Sequence, residues 1–156
     1  MQNPFTLTFG KSPLELVERP LQTMEIVDTF TAETVNQQMF IITGVRGSGK
    51  TVIMTEIARR LREREDWVVI ELNPATDLLQ GMLAKLNSNK VCAAIIKSAK
   101  IDLSFFGFGV AIEGVPPLTD TETAIITILE KLKKQDKRLL ITIDEVTNND
   151  YMKVFA

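Results

Sequence analysis

The sequence has no histidine and only one cysteine among its 156 residues. Without histidine it can build no His-based zinc site, no histidine general base and no Ser-His-Asp triad, which excludes most hydrolase chemistry. Cys92 cannot form a disulfide within the chain. The longest apolar run, Val91 to Ile96, is far below the roughly 18 residues that a membrane-spanning helix needs. Because the N-terminus also has no secretory-signal pattern, we expect a cytoplasmic protein that does not enter a membrane.

The composition is that of a soluble globular domain. Hydrophobic residues make up 45% and charged residues 24% of the chain. Lys and Arg number 18 against 20 Asp and Glu, which gives a formal net charge of -2. A net charge this small offers no global attraction to nucleic acid or to an anionic membrane. A nucleic-acid partner remains an alternative, but nothing in the composition indicates one.

Short β-rich runs alternate with longer helical runs along the chain, which predicts an α/β fold. Three apolar runs predict buried strands: Met39–Thr43, Trp67–Leu72 and Leu139–Ile143. Periodicity and capping patterns predict helices that start near Ser12, Pro20, Thr51, Leu78, Ser88 and Thr119, with a last one beginning at Tyr151. In the second of these, threefold spacing predicts one face that carries Leu21, Met24, Val27 and Phe30. The segment from Lys100 to Gly114 predicts a β-hairpin or bent strand.

A glycine-rich loop lies between the first predicted strand and its helix. Residues 44–51, GVRGSGKT, match the pattern GxxxxGK(S/T) of a phosphate-binding loop. In such a loop the backbone curls until its N–H groups converge on phosphate, so the expected nucleotide contacts are Gly44, Arg46, Gly47, Ser48, Gly49, Lys50 and Thr51. Lys50 would reach the β- and γ-phosphates, and the Thr51 hydroxyl would bind Mg²⁺. The alternative is a plain turn, but a turn requires neither Lys50 nor Thr51.

Two carboxylates follow the last predicted strand. Asp144 and Glu145 come directly after Leu140–Ile143, where ligands of open α/β sheets bind. Asp144 is expected to hold Mg²⁺ through a water, and Glu145 to orient or deprotonate the attacking water. By itself such a pair is usually a solvated turn, and its functional interpretation depends on the loop.

The loop GVRGSGKT and the strand LLITIDE resemble the Walker A and Walker B motifs of the AAA+ superfamily. The segment FGKSPLELVERP resembles the N-terminal box of its STAND and origin-recognition-initiator-like branches. That resemblance implies that Val17 and Arg19 contact adenine, although Glu18 replaces the usual glycine and an ordinary helix end is the alternative. It also implies that Asn73 is a polar switch that restrains Glu145, whereas Asn-Pro dipeptides commonly form turns.

The resemblance implies a three-layer P-loop NTPase fold with a mainly parallel sheet, truncated after the Walker B strand. Residues 1–38 would form the N-terminal box and helices, and residues 39–156 a partial ATPase core. No arginine follows Arg138, so we expect the sensor residues, arginine finger and lid to be absent. The chain is accordingly predicted to be the N-terminal part of a longer protein and to be poorly active alone.

The function implied is Mg²⁺-dependent ATP hydrolysis, with Lys50 and Glu145 as catalytic residues, coupled to a conformational change in the full-length protein. A nucleotide-dependent signalling scaffold with little hydrolysis and a DNA-binding initiator-like ATPase are the alternatives, and a small-molecule kinase ranks last. The expected partners are ATP and an unidentified protein, with a homo-oligomer left open.

Overall fold

The computed structural model describes residues 20–146. The chain divides into two compact units, Met1–Leu61 and Arg62–Ala156. Its helices are α1 Pro20–Thr31, α2 Lys50–Arg62, α3 Leu78–Ser88, α4 Lys90–Ser98 and α5 Thr121–Lys134, and its strands are β1 Trp67–Leu72 and β2 Arg138–Ile143. The helices predicted from Ser12 and from Tyr151, together with Val17 and Arg19, lie outside the described residues.

The prediction that Leu21, Met24, Val27 and Phe30 share one face of α1 is wrong at the first turn of the helix. Phe30 is buried, but Leu21 is 83% exposed and Met24 is 48% exposed. Leu21 and Phe30 are nine residues apart, which is two and a half turns of an α-helix, so they point to opposite sides. The buried partner of Phe30 is Thr23, seven residues before it and therefore on the same face.

The strand predicted over Met39–Thr43 is not formed. These residues have no strand assignment, and the side chains of Met39 and Ile41 are 71% and 77% exposed. A strand is stabilised by pairing, and within residues 20–146 the only sheet is β1 with β2. Phe40 still anchors the segment to the first unit, because its ring packs edge-on against Phe30 with 5.1 Å between centroids.

Both strands of the second unit were predicted from the sequence and are confirmed within one residue. β1 and β2 pair in parallel, from Trp67 opposite Arg138 to Leu72 opposite Ile143. The alternate β1 residues Val68, Ile70 and Leu72 belong to the hydrophobic core, which also includes buried side chains of α3, α4 and α5.

Polar side chains cap the N-termini of the three helices of this unit. The carboxylate of Asp77 accepts the N–H of Gln80 before α3, and that of Asp120 accepts the N–H of Thr123 at 2.8 Å before α5. The cap of α4 is Asn89, which accepts from Val91 and Cys92. Ser88, the predicted cap, is instead the last residue of α3, and its hydroxyl donates to Ala84 O at 2.8 Å.

No hairpin forms between Lys100 and Gly114. The carboxylate of Asp102, which is 2% exposed, accepts the N–H of Ser104 at 2.9 Å and that of Ile112 at 2.8 Å. These two bonds close a compact loop that contains a short 3₁₀ helix, Ser104–Phe106. Gly107 ends that helix at a φ of 81°, a conformation that does not continue as a strand. Phe106 and Phe108 pack against the core, whereas Phe105 is 63% exposed.

The described residues therefore form a mixed α/β structure with a small parallel sheet, as the sequence predicts at the level of fold class. Within residues 20–146 we find no helix that combines the length and apolar character needed to cross a membrane.

Replacing Asp102 with asparagine should destabilise the second unit, because one of the two partly buried N–H groups would lose its acceptor. Hydrogen bonds from the Ser104 side chain and from the Ile112 and Ser104 amides lower the pKa of Asp102. A lowered pKa contributes stability above the unfolded value of about 3.9, and that stability is lost as the pH falls through the folded pKa. The free energy of unfolding, measured with urea at neutral pH and at about pH 3, should decrease less between these two pH values for Asp102→Asn than for wild type.

The matched control is Asp28→Asn, a change at an exposed position of α1 that should keep the wild-type pH dependence. Identical pH dependence in wild type and Asp102→Asn would contradict the role given to this carboxylate.

Candidate phosphate-binding loop and acidic strand end

The glycine-rich loop curls back on itself just before α2. The N–H of Ser48 donates to the carbonyl of Val45 at 3.1 Å, which closes a turn over Val45–Ser48. Gly47 and Gly49 have φ angles of 81° and 86°, in a region that residues other than glycine rarely adopt. The helix then starts at Lys50, so its N-terminal N–H groups lie next to the curl.

Lys50 is bonded to the loop that precedes it. Its ammonium donates to the carbonyl of Gly44 at 2.8 Å and to that of Val45 at 2.9 Å. Carbonyl oxygens are good acceptors for a cation, and each such bond is stronger than one between neutral groups. The lysine thus links the start of α2 to the start of the loop.

Gly44 is packed too closely for any side chain. A Cβ atom placed on it would lie 2.5 Å from the Ser48 hydroxyl oxygen and 3.3 Å from the Ser48 Cβ. The Lys50 stem is also near, at 3.9 Å. The first glycine of the motif is therefore required by the approach of Ser48, whereas Gly47 and Gly49 are required by their backbone angles.

The two remaining polar side chains of the motif lie at the surface. Arg46 is exposed in the turn, and Thr51 is exposed as the second residue of α2. Their positions beside the curl are compatible with ligand contact by the guanidinium and the hydroxyl.

One carboxylate holds two arginines on the helix that follows the loop. Glu56 accepts from the Arg59 guanidinium at 2.7 and 2.9 Å and from Arg60 Nε at 2.8 Å. These hydrogen bonds, from Arg59 first and then Arg60, lower the pKa of Glu56 to about 2. This cluster is not among the residues predicted from the sequence, although spacings of three and four residues between opposite charges on a helix indicate such pairs.

The acidic pair ends β2 in the second unit. Asp144 is half-buried, and its Oδ1 accepts the N–H of Glu145 at 2.9 Å. Glu145 is exposed and has a φ of 55°, in the left-handed region that few residues other than glycine occupy. Backbone strain of this kind is concentrated at functional sites.

Asn73 follows β1 as Asp144 follows β2. Because Leu72 pairs with Ile143, Asn73 and Asp144 are placed at the same, carboxyl end of the parallel pair. The Oδ1 of Asn73 accepts the N–H of Ala75 at 2.9 Å, and its carbonyl accepts the N–H of Thr76 at 3.2 Å. This is the turn that the Asn-Pro dipeptide predicts.

The structure thus places the predicted site residues in two groups. Residues 44–51 lie in the first unit, and Asn73, Asp144 and Glu145 lie in the second. Within residues 20–146 no group of three or more His, Cys, Asp or Glu side chains is arranged to hold a metal ion by itself.

Residues 15–154 match the family model described as the AAA ATPase domain. No curated protein matches the chain, and no solved structure matches it. The matched region includes the loop, the acidic pair and Asn73, together with Val17 and Arg19.

Changing Gly44 to alanine should open the loop, because the new Cβ would force the Ser48 hydroxyl away. We expect a loss of about 1 kcal/mol or more in the free energy of unfolding, and faster hydrogen exchange at the Ser48 amide. Gly81→Ala is the matched control, since Gly81 lies in α3 with nothing within 4 Å of an added Cβ. That control should gain up to about 1 kcal/mol in stability. Loop amides in Gly44→Ala that exchange as slowly as in wild type would contradict this packing.

Proposed function

The chain belongs to the AAA ATPase domain family, and on that basis we propose that it binds ATP with Mg²⁺ at the glycine-rich loop and hydrolyses the β–γ bond. Family membership indicates nucleotide binding and hydrolysis in general. The observation that carries the more specific proposal is the position of Lys50 at the start of α2. Its ammonium donates hydrogen bonds to the carbonyls of Gly44 and Val45 in the loop.

On phosphate binding, phosphate oxygens would replace the loop carbonyl oxygens as hydrogen-bond acceptors. In the structure Lys50 is satisfied by two loop carbonyls, and Ser48 N–H by the carbonyl of Val45. A triphosphate offers more negative oxygens to the same donors, and the N-terminal N–H groups of α2 add their partial positive charge. Lys50 would then leave the carbonyls and bind the β- and γ-phosphates, with the amides of Gly47, Ser48 and Gly49 turned toward the ligand.

The donors proposed for the metal suit Mg²⁺. The Thr51 hydroxyl and the Asp144 carboxylate are hard oxygen ligands, which this ion prefers, usually with several waters retained. Bound Mg²⁺ supplies charge neutralisation on the phosphates. In the structure the Oδ1 of Asp144 accepts the N–H of Glu145. Glu145, which is exposed and has a left-handed backbone, would accept a proton from the attacking water.

The switch role proposed for Asn73 is compatible with its turn. Its Oδ1 accepts the Ala75 N–H, and its side-chain NH₂ group would donate to the Glu145 carboxylate. Replacing Asn73 with aspartate would keep the turn but replace that donor with a second negative charge.

Other parts of the proposal have their support in the sequence alone. They are adenine contact by Val17 and Arg19, the STAND or initiator-like branch, the three-layer sheet, the division at residue 38, and a conformational output to a protein partner in the cytoplasm. Hydrolysis measured with and without DNA separates the branches, because an initiator-like ATPase should be stimulated by DNA and a signalling switch should not.

The decisive experiment separates binding from hydrolysis in two variants. Lys50→Ala should weaken binding of a fluorescent ATP analogue by roughly tenfold to a hundredfold, since charged hydrogen bonds to phosphate would be lost. Glu145→Gln should bind like wild type, because glutamine keeps the shape, and should lose hydrolysis by about a hundredfold or more in single-turnover measurements.

Lys133→Ala, at an exposed position of α5, is the control for removal of one positive charge. Equal ATP affinity in Lys50→Ala and Lys133→Ala would count against the loop as the nucleotide site. Unchanged turnover in Glu145→Gln would remove this residue from the mechanism while leaving the binding proposal intact.

A further inference from the structure

One edge of β1 has peptide groups that point away from the sheet. Within residues 20–146, β1 pairs only with β2. The N–H of Arg138 donates to the carbonyl of Asp66 at 2.8 Å, and Trp67 is opposite Arg138. In a parallel ladder with this phase, the peptide groups of Val68, Ile70 and Leu72 face β2. Those of Val69 and Glu71 therefore face the opposite edge, which we call the outer edge of β1.

A cavity of about 280 Å³ lies along this outer edge. Its walls are Val69–Glu71 of β1, Arg62 at the end of α2, and Lys85, Ser88 and Asn89 at the junction of α3 and α4. The Arg62 guanidinium pairs with the Glu71 carboxylate at 3.3 Å. Ile70 packs in the core with α3, so Lys85 and Arg62 border the cavity from opposite faces of the strand.

The cavity has one more cation than anion. Glu71 is already paired with Arg62, whereas no salt bridge within residues 20–146 includes Lys85. The hydroxyl of Ser88 and the Oδ1 of Asn89 are also occupied, by the carbonyl of Ala84 and by two helix N–H groups. The groups available to a ligand include the Lys85 ammonium and the outward peptide groups of Val69 and Glu71.

We propose that the outer edge of β1 binds an extended, acidic segment of a partner protein by strand addition. The segment's backbone would exchange hydrogen bonds with Val69 and Glu71, and one of its carboxylates would pair with Lys85. Exposed strand edges are natural templates for such pairing. This binding surface lies in the second unit and does not depend on the nucleotide proposal.

Charge favours an acidic partner over a second copy of this chain. Two copies joined edge to edge would bring two Lys85 side chains and two Arg62–Glu71 pairs to one seam. No additional carboxylate would then be supplied to either lysine, and like charges across a strand pair are destabilising. An acidic peptide supplies the missing carboxylate directly.

The test uses the full chain and two fluorescent octapeptides, EVEVTVEV and KVKVTVKV, that differ only in the sign of their charges. The acidic peptide should bind, and the basic peptide should bind about tenfold more weakly or not at all. Lys85→Glu should weaken acidic-peptide binding about five- to tenfold, and the control Lys133→Glu should not change it. N-methylation of the peptide amides that face β1 should reduce binding by about tenfold or more.

Amide exchange gives the position of the contact. The bound acidic peptide should slow exchange at Val69 and Glu71, and leave unchanged the amides of Val68 and Ile70 that already face β2. Equal binding of both peptides, or protection elsewhere in the chain, would overturn the proposal. So would a dimer formed through this edge without peptide. Failure of the acidic peptide to bind would also overturn it, and Arg62, Glu71 and Lys85 would then be charges that protect the edge from pairing.

Discussion

The interaction on which the first unit's candidate site depends is the pair of hydrogen bonds from one ammonium to two backbone carbonyls. Lys50 holds the oxygens of Gly44 and Val45 together, and so keeps the loop curled where α2 begins. The curl also needs a bare Cα at residue 44, because Ser48 lies against it. A polyphosphate that enters such a loop replaces existing bonds with stronger ones, so part of the loop's order is present before ligand binds.

In the second unit the phase of one strand pair has two consequences. The parallel register places Asn73 and Asp144 at the same end of the sheet, where the family's nucleotide chemistry is proposed. The same phase directs the peptide groups of Val69 and Glu71 to the other side of β1, where they border a cavity with a cation from each face. Nucleotide chemistry is thus proposed for the carboxyl end of one small sheet, and partner binding for the outer edge of its strand β1.

The elements predicted correctly are those whose signal is local. Strands β1 and β2 are short apolar runs bounded by polar residues, and α2, α3 and α5 have clear helical periodicity, so their positions follow from the sequence. The strand over Met39–Thr43 depends on a pairing partner, and apolar character alone does not supply one. The loop after α4 depends on a single carboxylate, Asp102, which captures N–H groups two and ten residues away. In the site, the motif identified the loop residues, whereas the attachment of Lys50 to its own loop has no sequence pattern.

We propose the curled loop as the nucleotide site, and a titration with Mg²⁺-ATP followed through the amide resonances tests that claim. We predict that the amides of residues 44–51 shift and that Ser48 N–H loses its bond to Val45, while resonances in the middle of α5 stay in place. A titration at millimolar ATP that leaves the loop amides unchanged, or that shifts only residues elsewhere in the chain, would contradict the claim.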